Sequence, residues 1–291
     1  MVVAVIMLAA AALFAWQLMR PAPMELGRFD DIGGDPVAGE AVFWAAGCAS
    51  CHKAPGAEGE DQLVLSGGQR LETAFGTFVV PNISTDPDAG IGRWNVGTFA
   101  HAVTQGVSPN GRHYYPAFPY ASYALMTDTD VADLFAYMTT LPASTAVQDD
   151  HDLKFPYTFR PGLGLWKRLN GDPRFKGPSG TPELERGRYL VEALSHCAEC
   201  HTARDLIGRI DKDAWMAGAP NPTGTGRIPN ITPGTLRWSR GDISYYLETG
   251  FTPDFDSAGG HMANVITNMQ KLTPEDRNAI AAYLLQLPSQ P

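Results

Sequence analysis

Two copies of one pentapeptide constrain this 291-residue chain more than any other feature. Cys48-Ala49-Ser50-Cys51-His52 and Cys197-Ala198-Glu199-Cys200-His201 both read C-x-x-C-H, and together they use all four cysteines. In this spacing two thiols can add to the two vinyl groups of one porphyrin, and the adjacent imidazole can ligate its iron. The sequence therefore predicts two covalently bound haem c groups, one on Cys48, Cys51 and His52 and one on Cys197, Cys200 and His201. Three other readings fit less well. A thioredoxin-like C-x-x-C belongs near a βαβ pattern, and none is visible. Zinc takes four ligands from two close pairs, whereas these pairs lie 149 residues apart. Two disulfides would leave both adjacent histidines unexplained.

The duplication extends beyond the pentapeptides. Pro81-Asn82-Ile83-Ser84 follows Cys48 by 33 residues, and Pro229-Asn230-Ile231-Thr232 follows Cys197 by 32. Trp94 and Trp238 each precede a glycine, Gly106 or Gly250, by twelve residues. A Thr-Asp-Thr-Asp run at 127–130 leads to Leu141-Pro142, and Thr273-Pro274-Glu275-Asp276 leads to Leu287-Pro288. This is one unit of about 110 residues used twice, not a solenoid.

Each unit carries helix punctuation. Thr127 and Thr273 can cap exposed N–H groups, and Asp130 and Asp276 place negative charge at the positive helix end. Val131, Leu134, Phe135 and Met138 form one apolar stripe; Ile280, Leu284 and Leu287 form the other. Each unit should also open with a helix, over 37–46 and 182–194, that delivers the cysteines, with a loop carrying the histidine. The 30 glycines and 23 prolines predict short helices and stiffly turned loops. Segment 143–180 is rich in both, yet holds Phe155, Tyr157, Phe159, Leu163, Leu165 and Trp166, so it should strap the units together rather than hang free.

Val2 to Met19 is apolar except for Gln17. Eighteen helical residues span roughly 27 Å, close to the hydrocarbon core of a bilayer. Segment 1–22 thus reads as a membrane anchor, with a cleaved export signal as the rival. The expected division is 1–22 anchor, 35–142 first domain, 143–180 strap and 181–288 second domain.

Charge is unevenly spread. Residues 1–150 carry a net −10 and residues 151–291 a net +1, for −9 overall. Nucleic acid is excluded as a partner for so acidic a first half. A redox protein with a basic face suits it, and acids such as Asp128, Asp130 and Asp133 are candidates for steering one.

A haem that only transfers electrons needs a sixth iron ligand, and a methionine thioether favours reduced iron. The expected source is the loop before each closing helix. In the second unit Met262 fits, with Met269 as alternative and His261 beside it. In the first unit Met126 stands before the closing helix, and His113 is the alternative. Met138 suits the core better, His101 reads as a polar handle, and Arg112 could neutralise a propionate.

From about Asp35 to Pro288 the chain resembles the membrane-associated cytochrome c subunits of bacterial periplasmic alcohol and sugar-acid dehydrogenases. The segments that carry the resemblance are Val80-Pro81-Asn82-Ile83-Ser84, Gly106-Val107-Ser108-Pro109-Asn110-Gly111-Arg112, Tyr115-Pro116-Ala117-Phe118-Pro119-Tyr120 and Gly187-Arg188-Tyr189-Leu190-Val191. Many relatives hold three haems, against two here. Many also carry a ligating methionine where this chain has Phe118; those with phenylalanine commonly place methionine at the position of Met126. The resemblance implies an all-α fold of two tandem class I cytochrome c-like domains with Gly/Pro-rich loops, behind one hydrophobic N-terminal helix. It also implies the partner class: a dehydrogenase subunit on one side, and a basic soluble cytochrome or terminal oxidase on the other. The expected function is dihaem electron transfer at the periplasmic side of the bacterial inner membrane. A dihaem redox enzyme such as a peroxidase, which needs an open iron position, is the alternative.

Overall fold

The computed structural model describes every residue except 22, 24–26, 30, 223–225 and 291. Ala22, the expected end of the anchor segment, lies outside the described residues. Helix α1 (Val2–Met19) is apolar around its whole circumference and buries none of its residues. Its last turn meets the body of the protein. Its two final carbonyls are taken there: His113 Nε2 lies 2.9 Å from the Met19 oxygen, and Arg168 Nε donates to Leu18 at 2.8 Å.

In the first half, α2 (Pro36–Ala46) starts where the Asp35 carboxylate accepts from the Val37 N–H, with Pro36 in the first turn, and stops at Gly47. Helix α3 (Cys48–His52) is one turn that carries the whole first pentapeptide. Helices α4 (Val96–Gln105) and α5 (Tyr120–Tyr123) follow. Thr127 then caps α6 (Asp128–Met138), its hydroxyl accepting from Asp130 N–H at 3.1 Å. Helix α6 crosses α2 so closely that a Cβ on Gly39 would collide with the Asp133 carbonyl.

After α7 (Gly162–Asn170) the second half repeats this plan. Helix α8 (Pro182–Arg188) runs on as a π-helical segment, Tyr189–Leu194, and α9 (Ala198–His201) carries most of the second pentapeptide. Helices α10 (Arg240–Thr249) and α11 (His261–Met269) precede α12 (Pro274–Leu284), which Thr273 caps. A Cβ on Gly187 would collide with the Ala279 carbonyl of α12. Gly39 stands nine residues before Cys48, but Gly187 stands ten before Cys197. The wider π turn takes up the extra residue, so both crossings deliver the cysteines in the same way.

The apolar stripes expected from sequence face inward. Val131, Leu134, Ile280, Leu284 and Leu287 are all buried, and one continuous apolar cluster runs from Phe43 and Trp44 in the first half to Leu190 and Tyr283 in the second.

Three expectations are corrected. The chain is mostly helical rather than all-α. Strands β1 (Arg70–Thr73), β2 (Gly76–Val79) and β3 (Asp152–Leu153) form a small antiparallel sheet, and β4 (Ala219–Pro220) pairs with β5 (Arg227–Ile228). β3 comes from segment 143–180, which docks by backbone pairing that sequence alone cannot reveal. Secondly, both histidines close a helical turn rather than sit in a loop. Thirdly, three acids proposed for steering are engaged within the fold. Asp128 pairs with Arg28 at 2.7 Å, Asp130 accepts from the Tyr189 hydroxyl, and buried Asp133 accepts from Asp35 N–H at 2.7 Å.

Candidate haem-binding sites

The two histidines are held alike. His52 Nδ1 lies 2.9 Å from the Pro81 carbonyl oxygen, and His201 Nδ1 lies 2.8 Å from that of Pro229. A carbonyl only accepts, so Nδ1 carries the proton and Nε2 keeps its lone pair for a metal. The repeated Pro-Asn-Ile motif thus has a physical role. Its proline carbonyl orients the imidazole, while the next asparagine turns the chain, Asn82 accepting from Ser84 N–H and Asn230 from Thr232 N–H, each at 2.8 Å.

Desolvation by the surrounding protein pushes His52 down to about 4, with the Pro81 carbonyl opposing, and lowers His201 in the same way. Both rings are therefore neutral at neutral pH, the form that ligates iron. The four thiols are free of one another. Desolvation pushes the thiols of Cys48 and Cys197 up to about 12. Two thiols three residues apart on one turn, with the imidazole next in line, fit one porphyrin at each site.

The methionines are placed less uniformly. Met126 is buried at the end of the α5 turn, its N–H bonded to the Tyr123 carbonyl at 3.0 Å, in the same apolar cluster as Ala49 and Cys48. Met262 is half-buried near the start of α11, a helix where a loop was expected. Met269 is buried at the far end of α11, and Met138 faces the core as expected. His113 uses Nε2 on the end of α1. His101 is buried within α4, and Arg112 is exposed. Phe118 packs among Tyr114, Tyr120 and Tyr123, with ring centroids 5.8 to 6.4 Å away.

The structure also brings the two pentapeptides together, which sequence reasoning missed. Burial raises the Cys51 thiol, and Cys200 of the second pentapeptide adds to that shift. The Tyr123 hydroxyl donates to the Ala46 carbonyl at 2.7 Å, and its ring meets the His196 ring edge-on at 5.6 Å. Burial lowers the His196 imidazole, and the nearby Ala46 carbonyl is among the groups that oppose that shift. Ala46 and His196 stand just ahead of the first and second pentapeptides. The residue before the first cysteine is left-handed in both halves: Gly47 at φ 69°, His196 at φ 42°. Glycine adopts that conformation freely, whereas histidine is strained there. Sequence carried a faint signal, the histidine standing where the other copy has glycine.

Helical units that each orient an imidazole beside two free thiols define a c-type cytochrome with two haems. The sequence profile of the cytochrome c family matches residues 36–142 and again 184–288, and the chain belongs to that family. A diheme cytochrome c-type protein of Cereibacter sphaeroides is 55% identical over 285 residues, covering 98% of this chain and 96% of its own length. The fructose dehydrogenase cytochrome subunit of Gluconobacter japonicus is 36% identical over 86% of this chain. The cytochrome c subunit of the quinone alcohol dehydrogenase of Gluconobacter oxydans is 32% identical over 87%. The matched regions cover 52% and 55% of these two relatives. The chain thus carries two covalently bound haem c groups, and its role is electron transfer. Each haem, when bound, supplies a one-electron couple; the protein orients it and tunes its potential.

Proposed function

We propose that this chain relays electrons between a dehydrogenase or similar redox complex and an acceptor of the respiratory chain, held by α1 at the periplasmic face of a bacterial inner membrane. It does so through two tandem class I cytochrome c domains, 35–142 and 181–288, strapped by 143–180. His52 and Met126 ligate the first iron, and His201 and Met262 the second. The observation that carries this reading is the approach of the two haem-bearing turns through Tyr123, Ala46 and His196, which would let haems held on those turns form a short relay. The names of the fructose and quinone alcohol dehydrogenase subunits support the donor class. The docked end of α1 supports an anchor that stays on the mature protein, because a discarded signal has no use for two hydrogen bonds to the folded body.

Exposure of the reduced full-length protein to carbon monoxide tests the relay. Two closed, six-coordinate irons leave the visible spectrum unchanged. Rapid binding at either iron opens that site and favours a dihaem redox enzyme such as a peroxidase.

A further inference from the structure

Around the end of α1 lies an apolar surface that the electron-transfer site does not use. Phe155, Phe159, Leu165 and Leu169 are all exposed, Phe155 to 85%, and Leu206 stands nearby at 97%. The segment that bears the first four is fixed to the body beside that end. Arg160 donates to the His113 carbonyl at 3.2 Å and lies 4.5 Å over the Tyr115 ring. Lys167 donates to the carbonyls that end α4, Gln105 at 2.6 Å and Gly106 at 2.9 Å. Trp166 Nε1 donates to the Ile207 carbonyl at 2.7 Å, which ties the loop bearing Leu206 to α7. Helix α7 is therefore bolted down on its inner side, and its leucines are held outward.

The position of α1 says what covers them. Gly164 and Arg168, one turn apart on α7, meet the last turn of α1: a Cβ on Gly164 would collide with the Met19 backbone, and Arg168 bonds to Leu18. Leu165 and Leu169 form the adjacent stripe, about 100° round the helix. A helix is about 10–12 Å across, and the headgroup layer on each side of a bilayer is about 5–7 Å thick. An element pressed against the end of a spanning helix therefore lies in or on that layer. Elements that lie in that layer turn Phe and Leu toward the acyl boundary, and arginine beside them suits lipid phosphate.

We propose that the strip from Phe155 to Leu169 is a membrane-surface element, seating Phe155, Phe159, Leu165 and Leu169 in the headgroup layer of the bilayer that α1 spans. It rests on the reading of α1 as a retained span. The strip and α1 together hold the body in one orientation to the membrane, where α1 alone would let it swivel.

The test uses the full-length haem-loaded protein in vesicles of phosphatidylethanolamine and phosphatidylglycerol, with a photoactivated carbene reagent dissolved in the bilayer and peptide mass spectrometry as readout. Labelling of 155–169 is expected several-fold above that of Tyr245, Phe251 and Phe255, which are equally exposed elsewhere. The pair Leu165→Ser and Leu169→Ser should reduce that labelling several-fold and leave the haem spectrum unchanged. If α1 is labelled while 155–169 stays at the control level, the span stands and the proposal fails; the strip then faces a protein subunit. If α1 is absent from the mature chain or unlabelled, the anchor reading fails and takes the proposal with it.

Discussion

The Tyr123 hydroxyl donates to the Ala46 carbonyl at 2.7 Å, across 77 residues of sequence. That bond closes the C-terminal end of α2 just before the first pentapeptide, while the same ring rests on His196 just before the second. One buried side chain thereby sets the distance between two cofactor-bearing turns. Removing only the hydroxyl, by Tyr123→Phe, should keep both haems and lower stability by about 1 kcal/mol, the usual net worth of such a bond. Denaturant unfolding with visible absorbance checks both. Tyr123→Ala should cost about 3–5 kcal/mol by leaving a cavity.

His196 separates backbone strain from side-chain packing. A non-glycine residue in the left-handed region costs about 1–2 kcal/mol. His196→Gly relieves that strain while losing the ring contact with Tyr123; His196→Ala loses the contact and keeps the strain. The glycine variant should be more stable than the alanine variant by about 1 kcal/mol or more. Equal stabilities would mean that histidine bears no strain at φ 42°.

The close helix crossings give a pair of matched tests. Gly39→Ala and Gly187→Ala each drive a methyl into a backbone carbonyl of the crossing helix, which cannot yield as a side chain would. Each should cost about 1–3 kcal/mol or more. Haem loading should fall first in the half that carries the change, as read by peptide mass spectrometry.

Met126→Leu and Met262→Leu test the proposed sixth ligands. Each should remove about half of the weak near-infrared sulfur–iron absorption of the oxidised protein and lower one of the two haem potentials, because a thioether favours reduced iron. Met269→Leu is the control and should leave both signals unchanged. An unaltered spectrum for Met126→Leu removes that residue from the ligand set.

Partner steering is to be tested on acids that the fold leaves free. Glu58, Glu60 and Asp61 are exposed shortly after His52, unlike buried Asp133. Their reversal to lysine should slow electron transfer to a basic soluble cytochrome at low salt. The difference should shrink at 0.15 M salt, where the Debye length is about 8 Å. Reversal of Glu275 in the second half should do less.

Much of this molecule is legible in its sequence. The pentapeptides specify the cofactor and its covalent chemistry because both thiols and the imidazole lie within five residues. Thr127 and Thr273 mark helix starts because capping acts over three residues. The stripe of Val131, Leu134 and Met138 marks a buried face because helical periodicity is local. The long-range pairings had no such signal. The Pro81 carbonyl that orients His52 is 29 residues away, and the Met19 carbonyl met by His113 is 94 away. Neither His196 nor Tyr123 announces that it joins two haem turns. Local order alone determines what each half can hold. Which backbone oxygen each imidazole finds, how the halves face one another, and where α7 lies against α1 depend on helices packing across the whole chain, and only the tertiary structure decides them.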